Sequence, residues 1–159
     1  MSTSDGVGAR VVQTAGPVLI IGSGLLGASL GLALRAGGVR VYLEDASPTS
    51  LCLASDVGAG QAFGDVLAEA GVRPSDCGSD TPSYKAPSIV VVATPPDVAD
   101  RVIVESLLRF PDAIVTDVAS VKDAVVADVL RGLEREDCLE AASRYVGSHP
   151  MAGRERSGA

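Results

Sequence analysis

The sequence predicts an α/β fold, a doubly wound parallel sheet with helices on both faces, and three observations predict it. Uninterrupted apolar runs recur at Val18-Leu19-Ile20-Ile21, at Ser88 to Ala93 and at Ala113 to Thr116. They have the length and β-branched content of strands buried on both sides. Segments with helical apolar spacing stand between them, the signature of right-handed β-α-β units. Aromatic residues make up only 3% of the chain, with no Trp, so Ala, Val, Leu and Gly must fill the core. Small residues of this kind suit close packing of helix on sheet.

Taken in order, Val18–Ile21 is the first strand. A glycine-rich turn over 22–27 follows, then a helix over 28–35 whose apolar register (Leu26, Leu30, Ala33, Leu34) ends at Gly37-Gly38. Arg40-Val41-Tyr42-Leu43 reads as a second strand closing on Glu44-Asp45. Ser47-Pro48 reads as an N-cap with proline in the first turn of the next helix. Residues 58–87 are the least legible, and only Ala62 to Ala70 looks helical. The Ser88–Ala93 strand is followed by Pro95-Pro96-Asp97, which starts a helix with Ala99, Val102, Ile103 and Leu107 on one face. Ala113–Thr116 is a further strand. Val121 to Leu133 is a helix marked by Val125, Val129 and Leu133, with Val126 and Leu130 alongside. Tyr145-Val146-Gly147 is a last short strand leading into His149. One domain, residues 17–159, is expected, preceded by a disordered leader over 1–16.

Composition excludes several functions. The net charge of −7 and the lack of a Lys/Arg cluster argue against nucleic acid as a partner. No apolar stretch approaches the length of a membrane span, and the leader lacks the features of a signal peptide. The three cysteines, Cys52, Cys77 and Cys138, are odd in number and far apart. They read as small half-buried hydrophobes in a reducing cytoplasm. No metal-ligand cluster and no GxSxG elbow is found, so metal hydrolysis and an acyl-transfer triad are unsupported.

The turn "GSGLLG" fits GxGxxG, and its setting between a strand and a helix raises its weight. Gly22 permits the tight turn, Gly24 lets a pyrophosphate approach the backbone, and Gly27 lets helix and strand pack closely. The helix N-terminus offers free N–H groups and partial positive charge to phosphates. About 20 residues on, at the end of the second strand, a Rossmann-type domain places an acid for the adenosine ribose. Asp45 is the preferred residue, with Glu44 close behind. Such a carboxylate repels a 2′-phosphate, so NAD is expected over NADP. Thr94-Pro95-Pro96 lies at the end of the Ile89–Ala93 strand, where the switch point of the sheet falls. The prolines there stop a strand and start a helix, or form a stiff wall beside ribose and nicotinamide, and the two roles are compatible. The expected cofactor set is Gly22, Gly24, Leu25, Leu26, Gly27, Glu44, Asp45, Thr94 and Pro95.

"TDVASVKDAV", residues 116–125, leaves a later strand. By itself Ser120 reads as the cap of the following helix, with Asp123 completing an imperfect capping box. His149, the chain's single histidine, changes the balance, because it too follows a predicted strand and can reach the same cleft. An imidazole to take a hydroxyl proton, beside a nicotinamide to take a hydride, is the arrangement of a dehydrogenase.

Together, "VLIIGSGLLGASLGLAL", "IVVVATPP", "TDVASVK" and "GSHPMAGRERSG" occur in an order and spacing that closely resemble the N-terminal domain of prephenate dehydrogenases and their arogenate-using relatives, the TyrA family of tyrosine biosynthesis. The resemblance covers about residues 17–158, with a poor fit over 58–87. It implies NAD-dependent oxidative decarboxylation of prephenate to 4-hydroxyphenylpyruvate. It also implies roles for three residues: His149 as base or acceptor for the ring hydroxyl, Ser120 as the group binding hydroxyl and imidazole, and Glu155 as an acid that gates or polarises the pocket. Lys122 takes no role from the family and is expected to fix the strand-end loop with Asp117. Family members carry a helical C-terminal domain with the dimer interface and a substrate-binding arginine. The chain is therefore expected to be the cofactor domain of a homodimeric enzyme and to turn over little alone. An arogenate dehydrogenase, another hydroxyacid or imine dehydrogenase, and a non-catalytic NAD-binding domain are the other readings.

Overall fold

The computed structural model describes Thr14 and residues 16–149. Residues 1–13 and 15 of the expected leader lie outside these, as do Glu155 and the rest of the segment after His149. Six strands form one sheet in the order β3-β2-β1-β4-β5-β6, with every pairing parallel. The strands are β1 (Val18–Ile21), β2 (Val41–Glu44), β3 (Gln61–Ala62), β4 (Ile89–Val92), β5 (Ile114–Asp117) and β6 (Tyr145–Gly147). The helices are α1 (Leu25–Ala36), α2 (Pro48–Asp56), α3 (Phe63–Ala70), α4 (Pro96–Arg109) and α5 (Lys122–Arg135).

Alternation along the strands divides the core. Val18, Ile20, Val41, Leu43 and Val91 pack with Leu30 and Leu34 of α1 and Leu51 and Ala54 of α2. Leu19, Tyr42, Val90, Val92 and Val115 face the opposite way. They pack with Phe63 and Leu67 of α3, Ile103 and Leu107 of α4, and Val125, Val129 and Leu133 of α5. Both faces are thus covered, as the apolar runs predict, and each fully buried aliphatic side chain contributes about 1.5–3 kcal/mol. Helix α1 approaches the sheet through glycines, since Gly27 and Gly31 are its buried residues. A Cβ on Gly27 would collide with the Gly22 carbonyl oxygen.

The chain runs outward from β1 to β3, then returns to β4 on the other side of β1. The switch point therefore lies between the carboxyl ends of β1 and β4, where a parallel sheet of this kind opens a crevice. Ser47 caps α2 by accepting from the Ser50 N–H at 3.3 Å, with Pro48 at the first helical position.

Several expectations need correction. Helix α1 starts at Leu25, so part of the glycine turn is already helical. Ser120 does not cap α5: the N-cap is Val121, and no side chain bonds there. The poorly legible region contains β3, a short 3-10 turn at Pro74–Asp76 and a Thr81–Tyr84 bridge. A second 3-10 turn, Leu139–Arg144, precedes β6. Of the cysteines only Cys138 is half-buried, while Cys77 is buried and Cys52 exposed.

Candidate functional site

The glycine turn runs from the end of β1 into α1, and its glycines do separate jobs. Gly22 has φ +101, and a Cβ there would lie 2.6 Å from the Ala93 carbonyl, so β1 and β4 touch through it. Only glycine combines that conformation with that approach. Gly24 is the N-cap of α1 in ordinary extended geometry (φ −68). A Cβ on it would meet nothing within 4 Å, so its backbone faces open space at the mouth of the crevice. Free N–H groups at the start of a twelve-residue helix therefore border room for an anion.

Asp45 turns back onto this loop. One carboxylate oxygen accepts from the Ser23 N–H at 2.6 Å and the Ser23 hydroxyl at 2.8 Å, and the other accepts from the Ser47 N–H at 2.7 Å. Burial works against its charge, but the bonds from Ser47 and Ser23 outweigh it and hold the carboxyl below the usual carboxylate range. The stability it contributes is present above its unfolded value and is lost as pH falls through the lowered folded value. Glu44 is engaged elsewhere: Arg109 Nη1 donates to both of its oxygens, at 2.8 and 2.9 Å. Of the two acids, Asp45 is the one at the glycine loop.

A cavity of about 440 Å³ opens beside these residues, bordered by Gly22, Asp45, Thr94, Pro95, Val98 and Val102. Pro95 is the N-cap of α4 and Pro96 its first residue, so the proline pair both ends the strand and walls the cavity. The Thr94 hydroxyl is buried and has no partner among the described residues. An unpaired buried hydroxyl on a cavity wall suits a polar group of a bound molecule. Glycine turn, carboxylate and orphan hydroxyl therefore fit a dinucleotide.

A second cavity, about 240 Å³, lies on the α1 side and is mostly apolar. Leu26, Leu30, Val91 and Val118 line it with Thr116, Ser148 and His149. Leu25 is 86% exposed and borders neither cavity, so of the two leucines in the turn only Leu26 faces a pocket. His149 is exposed at the edge, but the residue before it is fixed. The Ser148 hydroxyl donates to the Asp117 carbonyl at 2.6 Å and lies 3.1 Å from the Thr116 hydroxyl. Asp117, fully buried at the end of β5, also takes the Lys122 ammonium, the Ala119 N–H at 2.8 Å and the Tyr145 hydroxyl at 2.7 Å. Burial and this bond to a carboxylate push the Tyr145 hydroxyl's pKa up, so it stays a donor. The expected Lys122–Asp117 tie is present, and the β5 loop and β6 are nailed to one carboxylate. Ser120 is exposed on that loop, and no hydrogen bond joins it to His149. The structure thus places His149 at a cavity and leaves Ser120 outside its lining, without pairing them. Glu155 lies outside the described residues.

Sequence reasoning missed Arg109, Ser23 and Tyr145. Arg109 meets Glu44 across 65 residues of chain, and nothing local marks such a pair. A serine inside the glycine turn, 22 residues before the acid, was the available signal for Ser23.

These features define the class of nucleotide-binding α/β domains. The family model described as "Prephenate dehydrogenase, nucleotide-binding domain" matches residues 30–159. The Probable prephenate dehydrogenase NovF of Streptomyces niveus is 36% identical over 140 residues, covering 88% of this chain and 32% of NovF. The structure of prephenate dehydrogenase from A. aeolicus, in complex with hydroxyphenyl propionate and NAD+, superposes with a TM-score of 0.65 at 28% identity. That match covers 92% of this chain and 45% of that one. Synechocystis arogenate dehydrogenase shares the fold, with a TM-score of 0.61 at 24% identity over 87% of this chain and 42% of its own. The chain belongs to the prephenate dehydrogenase nucleotide-binding domain family. It spans about a third of NovF and less than half of either solved chain.

Proposed function

We propose that residues 17–159 form the NAD-binding domain of a prephenate dehydrogenase, an enzyme of tyrosine biosynthesis that converts prephenate to 4-hydroxyphenylpyruvate and CO2. The observation that supports the reading is that the cavity beside Asp45 and the apolar cavity bearing His149 both open at the carboxyl end of β4, at the consecutive residues Thr94 and Ala93. Bound NAD+ would supply the hydride acceptor. The α1 N-terminus would hold the pyrophosphate at Gly24, Leu25 and Leu26, Asp45 would accept from the ribose hydroxyls, and Thr94 and Pro95 would border the other end of the dinucleotide. His149 would accept the proton of the substrate's C4 hydroxyl while hydride leaves C4 and the ring carboxylate departs as CO2, and would return that proton to the phenolate oxygen of the product. Ser120 would hold that hydroxyl and the imidazole once substrate is bound, and Glu155 would polarise the pocket.

The partner is a small molecule. No helix among the described residues is long and apolar enough to cross a membrane. We place the enzyme in the cytoplasm on its unpaired cysteines, and as a homodimer on the family resemblance. The test is to supply the full-length gene product with prephenate or arogenate, each with NAD+ or NADP+. Reduced nicotinamide and CO2 are expected one for one from prephenate and NAD+. Turnover with arogenate alone would move the assignment to the arogenate-using branch.

A further inference from the structure

Glu44 and Asp45 are adjacent acids at the end of β2, yet the fold gives them different partners. Asp45 is bound to the glycine loop, and Glu44 to Arg109, the last residue of α4. All three line the same cavity. The Arg109 guanidinium is seated independently of Glu44: it lies 5.2 Å from the centre of the Phe63 ring and 5.0 Å from that of Phe110, and its Nε donates to Cys77 Sγ at 3.2 Å. Its Nη2 makes no hydrogen bond among the described residues. A planar guanidinium held in place by two rings is a ready phosphate ligand, because its fork matches phosphate oxygens and need not be ordered on binding. Here the Glu44 carboxylate takes one arm of that fork, Nη1, and neutralises its charge.

We propose that Arg109 is a latent 2′-phosphate-binding group masked by Glu44, and that the Glu44–Arg109 pair acts with Asp45 to set the choice of NAD+ over NADP+. The inference rests on the cofactor reading above. A 2′-phosphate entering beside Asp45 would meet two carboxylates on β2 and its loop, with the Arg109 charge already neutralised and Arg101, the cavity's other arginine, exposed on its wall. Removing the charge of Glu44 while keeping its shape would loosen its hold on Nη1 and lower the repulsion together.

The experiment compares dissociation constants of NAD+ and NADP+ by calorimetry for the wild-type chain, Glu44→Gln, and Glu44→Gln combined with Arg109→Met. One new charge-assisted hydrogen bond corresponds to about a tenfold change. Glu44→Gln should therefore tighten NADP+ binding at least about tenfold, and the double substitution should abolish the gain. Thermal melts confirm that each variant is folded, and Glu44→Ala serves as a second variant if Glu44→Gln is not. If the wild type binds NAD+ and neither Glu44 variant gains NADP+ affinity, this inference falls alone. The same holds if the gain survives loss of Arg109. If the wild type binds neither dinucleotide, the cofactor reading falls with it.

Discussion

Gly24→Asp is expected to abolish dinucleotide binding while leaving the chain as stable as before, or slightly more so. Gly24 sits in an extended conformation open to any residue, and a Cβ there meets nothing within 4 Å. Aspartate is a favoured N-cap, and its charge at the start of α1 contributes about 0.3–1 kcal/mol. The same carboxylate would occupy the space a pyrophosphate needs. At about 4 Å, one pair of like charges costs about 4 kcal/mol at near-surface screening. Affinity for NAD+ should fall at least about 100-fold. A melting curve and a calorimetric titration on the same sample check both halves. A general folding defect would lower the melting temperature along with binding, so the opposite movement of the two is the diagnostic result. Gly22 would not give this separation, because its φ of +101 and its contact with Ala93 tie it to the fold.

His149→Asn should lower kcat by about 10²–10⁴, the usual contribution of a positioned proton acceptor, in the full-length gene product. The NAD+ dissociation constant should stay within about twofold, because His149 lies at the α1-side cavity and not at the Gly24–Asp45 crevice. Asparagine keeps a polar group of similar size but cannot take a proton. The sequence contains no other histidine that could substitute. Parallel loss of turnover and of NAD+ affinity would instead make His149 part of the cofactor site, and unchanged turnover would remove it from the chemistry.

The parts of this molecule legible in its sequence are those fixed by local chemistry. Strands β1, β4 and β5 are read from apolar runs because a parallel sheet covered on both sides demands them. The N-cap at Ser47, the proline start of α4 and the glycine turn each carry their reason within a few residues. What escaped was set by distance or by brevity. Strand β3 is two residues long, and neither of them is buried, so it leaves no pattern. The division of labour between Glu44 and Asp45 depends on Arg109, 65 residues from Glu44. Ser120 satisfied the local rule for an N-cap, but the loop takes one more residue before α5 begins, and Asp117 holds that loop from beneath. Leu26 shows the limit of periodicity: it fits the helical apolar register, yet it is 54% exposed and lines a cavity, while Gly27 and Gly31 face the sheet.

The most direct test of the central claim is a calorimetric titration of NAD+ into the 159-residue chain. One site per chain is predicted, with a dissociation constant between about 1 μM and 1 mM, the range in which such enzymes hold their substrates, and with NADP+ bound more weakly. No heat of binding from NAD+, or binding of NADP+ in preference, would contradict it.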